Sequence, residues 1–313
     1  MLSPEEIVKF SAILVAIIGA CTTISVLFFK GITNFFWEKY FYKYKLHSDH
    51  SYEQQKKIKE AISKHKVPLL DSAEALNYRI WNFTDNADKG WLKQEYATGA
   101  NNGYYTHSFA YRFLSLYAWS RKVELELVYM DSTLAEQDDL DFVKYIKVIK
   151  HIVCDASIFG KQYDCENDKD HFFKGDLNAL ADMLITEKGI VSYDEFKKMD
   201  GKFSKIYNFL YEIDEGKKCN KWYILNILHY TLIIFLSRYG YDYQRTSSEK
   251  ILNLKSKTEG NPYLFKLKPI YNNYCLSHCL EVGRITNILF PENEITLYKK
   301  VVPIIKYHQW DDK

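Results

Sequence analysis

The sequence is poor in the residues that break helices. Its 313 residues include only 13 glycines and 6 prolines, which argues against a strand-and-turn protein and for long helices. A charge of one sign is also missing: 42 Lys and Arg stand against 40 Asp and Glu, a formal net charge of +2. That balance gives no global attraction to nucleic acid, and no nucleic-acid partner is expected. A disulfide framework is missing as well. Cys21, Cys154, Cys165, Cys219, Cys275 and Cys279 are scattered, one of them inside an apolar run, whereas disulfide scaffolds are small and cysteine-dense. Free thiols in a reducing compartment are expected. The sharp catalytic signatures are absent too: no P-loop, no dinucleotide glycine fingerprint after a strand, no HExxH and no GxSxG. Without strands for a parallel sheet, the common nucleotide folds are disfavoured. No cofactor is implied, and the reading leans away from an enzyme.

What is abundant is aromatic and apolar bulk: 26 Tyr, 19 Phe and 6 Trp in a chain that is 47% hydrophobic. The expected fold class is all-α, with a single N-terminal transmembrane helix followed by a helical cytoplasmic domain. Ser3-Pro4-Glu5-Glu6 reads as a helix start, with Ser3 as cap, Pro4 in the first turn and Glu6 closing a capping box. The charge-free run from Phe10 to Phe29 follows. At about 1.5 Å per residue it reaches roughly 30 Å, the hydrocarbon thickness of a bilayer. A cleaved signal peptide has a shorter apolar core behind a basic segment. Here Glu5 and Glu6 precede the run and Lys30, Lys39, Lys43 and Lys45 follow it, so an uncleaved anchor is expected. The lysine excess on the C-terminal flank places the N-terminus outside and the remainder in the cytoplasm, for a single pass through the inner membrane.

The segment Phe35–Tyr44 mixes rings with lysines, which suits the headgroup level of the lipid bilayer; packing onto the soluble domain is the alternative. Within the span, Ala12, Ala16, Gly19, Ala20 and Thr23 fall at helical spacing. Small residues so placed let two helices approach, so this face is a candidate for homo-oligomer association, although such residues are common in spans anyway.

Four regions are expected: 1–46, the span and its aromatic, basic flank; 47–66, a polar connector helix; 67–244, a helical core domain; and 245–313, a C-terminal extension. Pro68 should open a helix whose stripe is Leu69, Leu70, Ala73, Leu76, Ile80 and Phe83, ending near Asp85-Asn86 and Gly90. A loop at 99–103 precedes a long helix from Tyr104. Further helices are expected near 138–154, 172–185, after Ser192, at 203–213 and at 274–289, with a brief one at 295–302. The apolar stretch Trp222–Tyr239 has a charge-free core from Tyr223 to Leu236 containing Asn226 and His229. That is short of the roughly 17–25 residues a span needs, so a buried core helix is expected. Residues 245–261, with Gly260-Asn261-Pro262, read as a loop or boundary.

Tyr105, Ser108, Tyr111 and Trp119, together with Phe172-Phe173-Lys174-Gly175-Asp176, carry a resemblance. The region 68–185 resembles an uncharacterised group of bacterial membrane-anchored helical proteins. The resemblance implies a membrane-tethered helical fold and supplies no activity or site residue.

Chemistry has three candidate locations. His107 and Arg112 lie near the start of one helix, Lys174 and Asp176 near the start of another, where free N–H groups can hold an anion. Together they would bind a phosphate-bearing ligand; the bland alternative is a buried ion-pair network tying two helices. Cys275, His278 and Cys279 fall at i, i+3 and i+4, one face of a helix, and could share a metal ion, against the alternative of ordinary buried thiols. Asp164, Glu166, Asp168 and Asp170 alternate like a calcium loop. With Lys169 and Gly175 where glycine and glutamate belong, they are rejected as one.

Three functional readings follow. The first is a membrane-tethered helical interaction or effector module with an unknown protein partner, similar in architecture to bacterial stress or anti-phage effectors. The second is a membrane-anchored enzyme or receptor with an unfamiliar helical site. The third is a scaffold tethering a partner to the bilayer.

Overall fold

A computed structural model describes residues 4–93, 103–166, 169–199, 201–211, 213 and 219–291. Ser3, the loop at 99–102 and the brief helix at 295–302 lie outside the described residues. The fold is all-α: no strand occurs among the described residues, which hold a single isolated bridge between Ile185 and Ile190. The chain forms two compact units, residues 1–57 and residues 58–313.

Helix α1 (Pro4–Asp85) begins at the proline, as its fixed φ favours. Residues of the first unit expose their apolar side chains without exception from Val8 to Phe29, including Phe10, Ile13, Ile17, Ile24 and Phe28. Left in water, each such side chain forgoes about 1.5–3 kcal/mol, on the order of 20 kcal/mol together. This one helix is long and apolar enough to cross a membrane. The hydroxyls inside the run are already satisfied: Ser11 donates to the Val8 carbonyl, Thr22 and Thr23 to Gly19, and Ser25 to Cys21. No polar side chain there demands water. Ala12, Ala16, Gly19, Ala20 and Thr23 are all exposed.

In the second unit, Pro68 does not open a helix; it sits inside α1. The ring costs a hydrogen bond, but the burial of Leu69, Leu70, Ala73, Leu76, Ile80 and Phe83 keeps the helix continuous through it. Nor is the expected connector wholly solvated, because Ile58, Ala61, Ile62 and His65 are buried.

The remaining helices are α2 (Tyr104–Leu127), α3 (Gln137–Cys154), α4 (Lys174–Asp182), α5 (Tyr193–Lys198), α6 (Ser204–Tyr211), α7 (Asn220–Tyr239), α8 (Ser248–Lys257), α9 (Leu267–Asn273) and α10 (Leu280–Leu289). α2 packs on α4, α5 and α6, while α3 and α10 pack on α7. Ser192 caps α5 through a capping box with Glu195. Two expectations are corrected. The stretch 245–261 contains a helix, because Ser247 accepts from the Lys250 N–H and Ile251 and Leu254 are buried. The late helix starts at Leu280, not Tyr274: the chain leaves α9 through Cys275, whose φ of +53° no helix permits.

α7 is the core helix that its length implied. Everything from Lys221 to Leu236 is buried, Asn226 and His229 included. Among the described residues no hydrogen bond reaches either ring nitrogen of His229 or either amide atom of Asn226; the His229 ring meets Trp81 edge-on at 4.7 Å. Burial alone pushes the His229 pKa down to about 3. The unfolded chain takes up a proton near pH 6.5 that folded His229 refuses, so stability is complete above that pH and falls as the pH drops towards 3. Burial also lowers His65 and His151, each opposed by a neighbouring carboxylate. We expect His229→Leu to remove about 2 kcal/mol of the stability lost between pH 6.5 and 5. Denaturant titration of the detergent-solubilised chain at several pH values measures it; an unchanged acid slope contradicts the assignment.

Candidate functional site: an aromatic cavity with two arginines

Two helices and one turn of the second unit border an open cavity of about 770 Å³, lined by Tyr78, Arg79, Asn82, Trp91, Tyr104, Tyr105 and Arg112. Its size falls in the range of small-molecule sites. α1 supplies Tyr78, Arg79 and Asn82, about one turn of helix. α2 supplies Tyr104, Tyr105 and Arg112. Between them the chain turns at Gly90 (φ +67°) and enters α2 from Gly103 (φ +63°). Both conformations are left-handed, where a side chain would add strain, and together they bring Trp91 against Tyr105 with ring centroids 4.9 Å apart.

Arg79 is the anchor. It is buried, with its guanidinium 4.3 Å from the centre of the Tyr105 ring and Nη2 donating to Ser108 Oγ at 2.8 Å. Ser108 donates in turn to the Tyr105 carbonyl, and the Tyr105 hydroxyl donates to Asn82 Oδ1. Arg79 Nε, also buried, has no hydrogen-bond partner among the described residues. Arg112 is half-buried. Burial first, and then repulsion from Arg79, hold its pKa below the usual arginine value, while Tyr104, Tyr105 and Tyr193 partly offset both. No carboxylate lines the cavity, and neither arginine forms an ion pair among the described residues. Two neighbouring guanidinium groups in a partly desolvated site cost free energy until an anion arrives. Arginine forks match phosphate and carboxylate bidentately, and the surrounding rings offer faces for a planar group.

Of the four polar residues expected to bind a ligand, only Arg112 lines this cavity. His107 Nδ1 instead lies 2.8 Å from the Tyr207 hydroxyl, and Asp176 accepts from Lys205 at 2.5 Å, both partners on α6. Lys174 is exposed in the first turn of α4. Asp176 sits in that same turn and already supplies negative charge to the helix N-terminus. Arg79 was missed because its sequence context, mid-helix between Tyr78 and Ile80, looks like any exposed arginine. Tyr105 and Ser108 prove to be the shelf on which Arg79 rests. Tyr111 donates to the Val191 carbonyl, and Trp119 packs on Gly189, where an added Cβ would meet its ring at 3.3 Å.

The expected thiol and imidazole set also changes membership. His278 and Cys279 converge with Asp141 of α3, their donor atoms all within 4.8 Å of one another. Cys275 is exposed in the turn and outside this group. Residues 275–279 are not helical, so the one-face argument fails for Cys275.

The two arginines predict opposite stability effects in the ligand-free protein. Arg112→Gln should raise the thermal midpoint by relieving repulsion, whereas Arg79→Ala should cost on the order of 2 kcal/mol through lost stacking and an orphaned Ser108. Thermal scans of both variants check this; a lowered midpoint for Arg112→Gln means that its charge is compensated after all.

No protein-family model matches the chain, and neither a curated protein nor a solved structure does.

Proposed function

We propose that this chain is a membrane-tethered receptor or effector module. Its helical domain binds a small anionic ligand carrying a planar ring, of the nucleotide class, in the Arg79–Arg112 cavity. The observation that carries the reading is the pair of guanidinium groups that have no carboxylate partner among the described residues, in an aromatic-lined cavity. Arginine supplies the anion contacts and Trp91, Tyr104 and Tyr105 the stacking surfaces. Among the described residues the lining is made of arginines, aromatic rings and an amide, a set suited to holding an anion. The apolar run Phe10–Phe29 anchors the module in a cell membrane. The lysines at 30, 39, 43 and 45 favour an outside N-terminus and a cytoplasmic domain. The small-residue face of the span supports self-association as the means by which a bound ligand is reported, and the same domain would present its surface to a protein partner.

Isothermal titration of the full-length protein in detergent tests the binding reading. A panel of nucleoside mono-, di- and cyclic phosphates is titrated beside inorganic pyrophosphate. At least one nucleotide should bind more tightly than pyrophosphate, and Arg112→Gln should weaken it by about tenfold or more, the worth of a charge-assisted bond. No heat from any nucleotide, or equal affinity in the variant, rejects the cavity as the site. Orientation is read separately, on a Cys21→Ser background. A membrane-impermeant maleimide should label the exposed Cys165 and Cys275 only after cells are permeabilised. Labelling of intact cells would reverse the topology.

A further inference from the structure

A second, independent site lies where α3 meets the turn between α9 and α10. Asp141 is 1% exposed, and its carboxylate meets two neighbouring donors from that turn. Oδ2 lies 2.8 Å from His278 Nε2 and 3.9 Å from Cys279 Sγ, and Sγ is 3.7 Å from Nε2. We propose that Asp141, His278 and Cys279 form a binding site for a divalent transition-metal ion of the zinc class, with one coordination position open to a water or exogenous ligand.

The distances carry the argument. A tetrahedral ion with bonds of about 2.0 Å to nitrogen and oxygen and about 2.3 Å to sulfur spaces its donors by about 3.3–3.6 Å. The Asp141–His278 gap must open by about half an ångström and the two sulfur gaps close by a few tenths. The side chain of His278 is 53% exposed, so such a widening meets little packed structure and leaves a face for entry. The donor set of one carboxylate, one imidazole and one thiolate suits zinc and cobalt and excludes magnesium and calcium, which take oxygen.

The surroundings are also those of a held ligand set. The other carboxylate oxygen, Oδ1, accepts from Gln137 Nε2 at 2.6 Å and from Lys144 Nζ at 3.1 Å, which fixes the orientation in which Oδ2 faces the turn. Next to Cys279 stands the buried Tyr145 hydroxyl, whose polar neighbour is the Cys279 thiol. A thiolate at Cys279 gives that hydroxyl an acceptor. On binding, the Cys279 S–H bond breaks and its proton passes to water; the Nε2 proton that His278 donates to Asp141 in the empty site is also lost from that nitrogen, to Nδ1 by tautomer exchange or to water, and sulfur and the freed nitrogen donate their electron pairs to the ion.

A Cys–His–Asp nucleophile is the rival use of these residues. It requires histidine to face thiol and carboxylate with opposite nitrogens, whereas here Nε2 faces both.

The test uses tag-free full-length protein in detergent, stripped with chelator and reloaded with zinc or cobalt alone. Stoichiometric zinc should survive gel filtration and raise the thermal midpoint. Cobalt should give the intense visible bands of a tetrahedral ion and a sulfur-to-cobalt charge-transfer band. Cys279→Ser should abolish the charge-transfer band, while Cys275→Ser leaves it intact. Gln137→Ala, which reorients Asp141 without touching the ion, should weaken affinity by about tenfold. Should zinc be lost on gel filtration, or the charge-transfer band persist in Cys279→Ser and vanish in Cys275→Ser, the assignment is wrong. Circular dichroism of each variant separates loss of the ion from loss of the fold.

Discussion

Removal of apolar surface from water is the constraint on which everything else rests. It is met inside the second unit by mutual burial: α7 is enclosed along almost its whole length, and Leu69, Leu76, Ile80 and Phe83 of α1 are covered. Residues of the same chemistry between Phe10 and Phe29 are exposed. A lipid environment is the one our proposal gives them, and the back-bonded hydroxyls of Ser11, Thr22, Thr23 and Ser25 are compatible with it. Two runs of similar composition thus meet opposite fates because one finds helices to pack against.

Within that apolar frame the polar groups divide by how well they are partnered. Most are tied off: Asp176 by Lys205, Lys150 by Glu124 and Asn178, His107 by Tyr207. Such pairs hold helices together and leave no charge over for a ligand. Arg79 and Arg112 are different, since the aromatic residues around them soften repulsion without neutralising it. An arrangement that weakens the empty protein is the kind that ligand binding repays, which is why the cavity carries the functional proposal. The Asp141–His278–Cys279 cluster is a separate matter. It joins α3 to the segment before α10 and shares no residue with the cavity.

Helix periodicity was legible wherever a stripe ran long. Phe109, Phe113, Leu116 and Tyr117 on α2, and Phe142, Ile146 and Ile149 on α3, are buried as their spacing requires. Boundaries were less legible. Pro68 ordinarily interrupts a helix, yet flanking burial outweighs its missing hydrogen bond. Cys275–Cys279 has helical spacing, yet it forms a turn because Cys275 adopts a left-handed conformation. A sequence holds the local cost of each conformation but not the tertiary contacts that override it.

By itself the sequence determined the all-α class, the apolar N-terminal run and the shortness of the later one, since these depend on composition and on spacing along a single helix. Tertiary structure alone decided which polar residues meet. Arg79 joins Arg112 across 33 positions, and Asp141 joins His278 across 137. Neither pairing leaves a periodic trace, because contact between helices is set by how their side chains pack and not by order along the chain.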